Sequence, residues 1–248
     1  MRPNRIKPKF LPVALVACCI GLALVLMPIW AQEQSVNPGI NRNYENPDWA
    51  HWVAAFENQG REVYARRQAI VDATGVRPGM AVADIGAGTG LFTRLFATRV
   101  APAGKVYAVD ISATFIENIL RTCREQGLGN VEGIVNTPRD VTLPDASIDL
   151  AFMTDTYHHF EYPASMLASL RRALRTGGEL VIIDFRRDSG VSPPWIMGHV
   201  RAGKDTVIRE VQAAGLRFVE EKPVLRSNYF LVFKKDRSVN HPEPSTVK

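Results

Sequence analysis

Residues 82–90 read Val-Ala-Asp-Ile-Gly-Ala-Gly-Thr-Gly: an apolar run ending in Asp84 and Ile85, then glycine at every second position, just ahead of a helical pattern that starts at Leu91. Residues without side chains let the backbone turn tightly and approach a ligand closely, and the N-terminus of the following helix faces the same place. Glycine turns of this kind also serve dinucleotides, so spacing has to decide. The dinucleotide fingerprint GxGxxG requires a small third residue where this chain has Leu91, and here the third glycine comes one position early, at Gly90.

From Ala81 onward, short apolar runs alternate with helical patterns, which implies a parallel sheet wrapped by helices. The spacing predicts strands over 81–85, 105–110, 131–135, 148–154 and 179–185, with two more near 216–221 and 229–234. Helices are predicted over 91–98, 112–126, 163–174 and 206–214, with Gly177 and Gly215 where helix C-caps belong. The last two strands have no long helical stretch between them and read as a closing hairpin. The second strand, KVYAVD, ends in Asp110, about 20 residues past the last glycine, where a carboxylate can accept hydrogen bonds from ribose hydroxyls. A helix N-cap is the alternative role for Asp110, although Ser112 already offers one.

The pattern Asp84-x-Gly86-x-Gly88-x-Gly90, with Asp110 after it, resembles the first two motifs of class I S-adenosylmethionine-dependent methyltransferases. That resemblance implies a Rossmann-like α/β fold: a seven-stranded, mostly parallel sheet with helices on both faces and a closing antiparallel hairpin. It also implies S-adenosylmethionine as cofactor. Asp84 would lie under the methionine amine, Gly86, Ala87, Gly88 and Gly90 would make room for the cofactor, Asp110 would bind its ribose, and Ile111 would pack on adenine. Near the adenine amine the family usually has a polar or acidic side chain, and this chain offers Asn136 and Thr137, with Asp140 a little later. LPDASIDLAFMTDTYHHF and LRRALRTGGELVIIDFRR extend the resemblance over about Val76 to Lys234. EVYARR, TYHHFEYP and GHVRAGK resemble a group of exported bacterial methyltransferase-like proteins.

In open α/β sheets ligands sit beyond the carboxyl ends of the strands, so the loop Asp155-Thr156-Tyr157-His158-His159-Phe160 is where the methyl acceptor is expected. Methyl transfer is an in-line displacement that needs alignment and desolvation, plus a general base only if the acceptor keeps its proton. A histidine suits that role. Adjacent side chains in an extended loop point opposite ways, so at most one histidine is expected to act, and His159 is favoured because it would share a side with Tyr157, with Asp155 orienting the histidine or touching the cofactor. His199 and Arg201, in the long loop after the fifth strand, lie beyond the same sheet edge and read either as completing a pocket or as surface residues. Glu57, Arg61, Tyr64 and Arg67 read either as pocket closure or as helical ion pairs. The aromatic set Tyr44, Trp49, Trp52 and Phe56 either seats a lid on the core or covers an apolar acceptor.

At the other end of the chain, Arg2, Arg5, Lys7 and Lys9 precede an almost unbroken apolar run from Phe10 to Trp30. This reads as an export signal, either cleaved after Ala31 or retained as an anchor; Leu15 to Cys18 also resembles a lipoprotein cleavage box, although the apolar run continues past it. Both main readings put the domain outside the cytoplasm. The leader supplies four of the formal +5 charges and leaves +1, so the charge gives no reason to expect a nucleic-acid partner. Cys18 and Cys19 also lie in the leader. Cys123 is then the domain's one cysteine, at helical spacing from Ile116, Ile119 and Leu120, and is expected to be buried.

The expected organisation is a leader over 1–31, a linker and lid helix over 32–75, the methyltransferase domain over 76–235 and a polar disordered tail over 236–248. The lid helix is expected to run from Trp49 through REVYARRQAIVDATG. No CxxC or HExxH spacing occurs, so no metal site is expected. The expected partner is a small-molecule methyl acceptor, with the membrane involved only through an uncleaved anchor. Two other functions stay open: an exported protein that binds S-adenosylmethionine without turnover, and an oxidoreductase, against which Leu91 argues.

Overall fold

In the computed structural model, residues 34–236 are described; the leader and all of the tail beyond Asp236 lie outside them. Seven strands form one sheet: β1 (Ala81–Ile85), β2 (Lys105–Asp110), β3 (Val131–Val135), β4 (Ile148–Thr154), β5 (Leu174–Phe185), β6 (Arg217–Glu221) and β7 (Asn228–Lys234). Their order is β3-β2-β1-β4-β5-β7-β6, and only β7 runs antiparallel to its neighbours. The strand pattern predicted from the sequence therefore holds, including the closing hairpin.

Residues alternate between two apolar layers along the central strands. In β4, Leu150 and Phe152 join a cluster with Phe92, Phe96 and Val100, while Ala151 and Met153 join one with Leu167, Leu170, Val207 and Val211. β5 and β7 divide in the same way, Val181 and Phe230 to the first cluster, Leu180 and Leu231 to the second. A strand apolar on both faces can only be buried between two layers of helices, which is why these segments read as unbroken hydrophobic runs.

The first layer is formed by α3 (Arg67–Ala73), α4 (Leu91–Val100) and α5 (Ala113–Glu125), the second by α6 (Pro163–Ala173) and α8 (Lys204–Ala213). Cys123 is buried beside Ile116 and Ile119, as its spacing predicts.

Three departures from the sequence reading have local causes. The long lid helix is instead α1 (Trp49–Phe56), α2 (Glu62–Ala65) and α3. Asn58 breaks it: its amide donates back to the Ala54 and Ala55 carbonyls, and its oxygen accepts from the Gly60 N–H, closing a turn. Gly177 is not a helix cap, because α6 ends at Ala173 and Leu174 already pairs with Ile148. Gly215 does follow the end of α8, with φ +83°. Within the long loop expected after the fifth strand, Pro194–His199 forms a further helix, α7.

The strand order reverses beside β1, whose neighbours are β2 and β4. At such a switch point the loops leaving adjacent strands diverge and open a crevice at the carboxyl edge.

Candidate active site

The crevice is a cavity of about 330 Å³, lined by the loops after β1, β2, β4 and β5 and covered by residues from the amino-terminal segment. Its size falls in the range of small-molecule sites, roughly 300–1,000 Å³.

One end is built by the glycine turn. The amides of Gly86 and Ala87 both donate to the Val109 carbonyl, folding the turn back over the end of β2. Gly86 has φ +67°, and a Cβ there would lie 2.3 Å from Thr156 Cγ2, so the β1 and β4 loops touch only because the side chain is missing. Gly90 acts elsewhere. At φ +73° it starts α4, and a Cβ would lie 2.8 Å from Ile119 of α5. Gly86, Ala87 and Gly88 line the cavity, whereas Gly90 serves helix packing behind it.

Asp110 closes this end. Its carboxylate accepts from the amides of Gly88 and Ser112, each at 2.9 Å, so one side chain ties the glycine turn to the start of α5. Burial pushes its pKa up to about 6 against the pull of those amides. Ile111 and Asn136 line the cavity beside it. Thr137 does not: it is exposed, and its hydroxyl accepts from the amides of Arg139 and Asp140 within a turn. The resemblance pairs Thr137 with Asn136 near the adenine; the turn directs it away.

Asp84 also stands outside the cavity lining. It is buried under the glycine turn and accepts from the Thr93 hydroxyl at 2.6 Å. Burial raises its pKa to about 7, with Thr93 opposing. The folded protein thus keeps a proton that the unfolded chain releases near pH 4, so stability falls as pH rises from about 4 to about 7. Asp110 and Asp155 act in the same direction. Thermal melts between pH 5 and 8 are expected to show this loss, and Asp84→Asn should remove on the order of 1–3 kcal/mol of it. An unaltered slope in the variant would refute the buried protonated Asp84.

At the far end, Thr156 leads into a single 3₁₀ turn over Tyr157–His159. An extended loop would alternate its side chains, but a 3₁₀ turn does not, and this overturns the expectation that Tyr157 and His159 share a side. Tyr157 is fully buried in the core, its hydroxyl donating to Glu210 at 2.6 Å under the Arg201–Glu210 ion pair. It is outside the cavity, and so is Arg201. His158 and His159 both face the cavity with ring centroids 4.3 Å apart, and His199, from the end of α7, lies 5.0 and 5.3 Å from them.

The acid that orients a histidine here is Asp184, not Asp155. His158 Nδ1 lies 2.8 and 3.0 Å from the two Asp184 oxygens, both residues being buried. A carboxylate can only accept, so Nδ1 carries the proton. Burial opposes charge on His158, but Asp184 outweighs it and raises its pKa. His159 is pushed the other way, to about 3, by burial and by the other two imidazoles. At neutral pH it offers a lone pair but is a weak proton acceptor, which counts against it as the general base. Asp155, at φ +49°, is held instead by an ion pair with Arg61 and a 2.6 Å hydrogen bond from Asn228. Its pKa is raised to about 6, burial outweighing Arg61.

The cover resolves the aromatic set. Tyr44 and Phe56 face the cavity, Trp52 stacks between them at 4.8 and 4.9 Å, and Trp49 packs on Phe115. Tyr44 meets His159 edge-on at 5.1 Å, and Asn41 donates to the His159 carbonyl. Glu57 pairs with Arg94 through both oxygens at 2.8 Å, and Arg94 also donates to the Thr89 carbonyl of the glycine turn. Arg67 lies over the Tyr64 ring and donates to the Tyr64 carbonyl, away from the cavity. Sequence alone does not single out Asp184, Asn228 or Arg94. Asp184 carries a signal all the same, since it falls at the end of the apolar run of β5 as Asp84 and Asp110 do in theirs.

Comparison with known proteins fits this geometry. Residues 83–182 match the family described as "Methyltransferase domain". Ubiquinone/menaquinone biosynthesis C-methyltransferase UbiE from Hydrogenovibrio crunogenus is 31% identical over 118 residues, 47% of this chain and 46% of that protein. The chain thus spans about half the length of the curated relatives it matches. A SAM-dependent methyltransferase from Aquifex aeolicus has the same fold, with a TM-score of 0.67 at 24% identity over 77% of this chain and all of that one. The [4+2]-cyclase SpnF shares it at a TM-score of 0.62 and 16% identity, over 73% of this chain and 85% of that one. The matched segment takes in the glycine turn, Asp110 and the histidine loop, and through it the chain is similar to methyltransferase domains.

Proposed function

We propose that this protein transfers the methyl group of S-adenosylmethionine to a small, partly apolar acceptor. The observation that carries the proposal is the continuity of the cavity, from the glycine turn and Asp110 at one end to three histidines and an aromatic wall at the other. Asp110 would hold the ribose, Ile111 and Asn136 the adenine region, and the glycine turn the methionine portion, as in the family the chain resembles. When bound, S-adenosylmethionine supplies an electrophilic methyl carbon. The chain's own work is alignment and exclusion of water: Tyr44, Phe56, Phe185 and Trp195 give the acceptor apolar walls, and displacement at carbon is fastest when nucleophile and leaving sulfur are held in line.

An aromatic or quinone-like acceptor suits such walls, and the C-methyltransferase name of the UbiE relatives supports the same class. The basic-then-apolar leader supports work outside the cytoplasm, with no nucleic-acid partner.

The test is to incubate the purified protein with methyl-labelled S-adenosylmethionine and a metabolite extract, following label by mass spectrometry, alongside calorimetric titrations with S-adenosylmethionine and NAD. Label in a small apolar product is expected. Binding of NAD alone would overturn the reading, and cofactor binding without transfer to any acceptor would replace it with a sensor or scavenger.

A further inference from the structure

His158 and His159 are separated from His199 by some 40 residues of sequence, so no local spacing announces them, yet the fold gathers all three at one corner of the cavity. Each can present a nitrogen such that all three lie within 4.8 Å of one another. We propose that these imidazoles bind a divalent transition-metal ion of the zinc type, leaving a fourth position open towards the methyl acceptor.

Three observations support the site. First, Asp184 grips Nδ1 of His158, which leaves Nε2 as the free ligand atom; a carboxylate behind a ligating histidine is the usual way to fix its ring and tautomer. Second, His159 Nδ1 is buried without a hydrogen-bond partner among the described residues, an unmet need that a ring rotation towards an ion would satisfy. Third, imidazole is the ligand zinc-like ions favour, and three protein ligands with one open position is the arrangement of catalytic rather than structural sites. Tetrahedral coordination at about 2.0–2.1 Å sets nitrogens roughly 3.3 Å apart, so the three need only close in modestly. His199 ends a six-residue helix and lines the cavity with the other two.

The function of such an ion rests on the proposed methyl transfer. An acceptor hydroxyl or thiol would coordinate at the open position and release its proton to solvent water. The metal-bound oxygen or sulfur anion then attacks the methyl carbon, its bond to carbon forms as the sulfonium S–CH₃ bond breaks, and the electron pair stays on sulfur to give S-adenosylhomocysteine.

The test uses the purified chain, stripped with chelator and titrated with Zn²⁺ and Co²⁺, with calorimetry and the visible absorption of tetrahedral Co²⁺ as readouts. One ion per chain is expected. His199→Ala and His199→Gln should each weaken it at least about 100-fold while S-adenosylmethionine affinity changes less than about twofold, and Asp184→Asn should weaken it about 10- to 100-fold. Circular dichroism confirms that each variant is folded. Failure to bind either ion, or unchanged affinity in both His199 variants, would overturn the metal site. If metal binds but S-adenosylmethionine does not, the methyltransferase reading fails and the site survives. If labelled methyl transfer proceeds unchanged in chelator, the metal's role in transfer fails.

Discussion

Gly86→Ala is expected to lower the melting temperature by roughly 5–15 °C and to abolish measurable binding of S-adenosylmethionine. Two costs add. At φ +67° an alanine is strained, on the order of 1–2 kcal/mol. Its Cβ would also meet Thr156 at 2.3 Å and 2.5 Å, and overpacking of this kind costs about 1–3 kcal/mol. For a chain of this size each kcal/mol is worth about 2–4 °C. Relief by pushing the two loops apart would widen the crevice proposed to hold the cofactor. The double variant Gly86→Ala/Thr156→Ala separates the two costs: deleting Oγ1 and Cγ2 should restore the steric part and leave the strain. If the second substitution gives no recovery, contact between the β1 and β4 loops is not what requires glycine at 86.

The second large effect is expected at Asp110. Replacement by alanine should weaken S-adenosylmethionine binding about 10- to 100-fold, from the loss of about 1–3 kcal/mol of charge-assisted hydrogen bonding. Two losses combine, because the carboxylate proposed to hold the ribose also accepts from Gly88 and Ser112. Asp110→Asn keeps one acceptor oxygen and should fall between alanine and the parent. Since burial lifts the Asp110 pKa to about 6, the ionised form needed for these bonds is lost as pH falls through 6. Affinity of the parent protein should drop there, and that of the asparagine variant should not. An unchanged dissociation constant in Asp110→Ala would sink the ribose assignment.

How much of this is legible in the sequence depends on the range of the interactions involved. Strand positions are readable because burial on both faces leaves an unbroken apolar run, and the glycine turn because its signal is local. Tyr157 is misplaced by sequence reasoning because a 3₁₀ turn and an extended loop of three residues share no distinguishing pattern. The lid helix comes out too long because one asparagine, Asn58, outweighs the periodicity around it. The roles of Asp184 and Asn228 depend on contacts between segments far apart in the chain, which become visible only once the sheet order brings those segments to one edge.

Arg94 holds Glu57 of the cover with one nitrogen and the Thr89 carbonyl of the glycine turn with another. A single guanidinium gripping both makes turn and cover one mechanical unit, so a ligand that reshapes the turn also alters how firmly the cover is seated. By linkage the influence runs equally in reverse: whatever changes how the cover is seated changes how the turn holds its ligand. A methyl donor at the turn and an acceptor under the cover, as proposed above, would therefore each change the affinity for the other by the same factor.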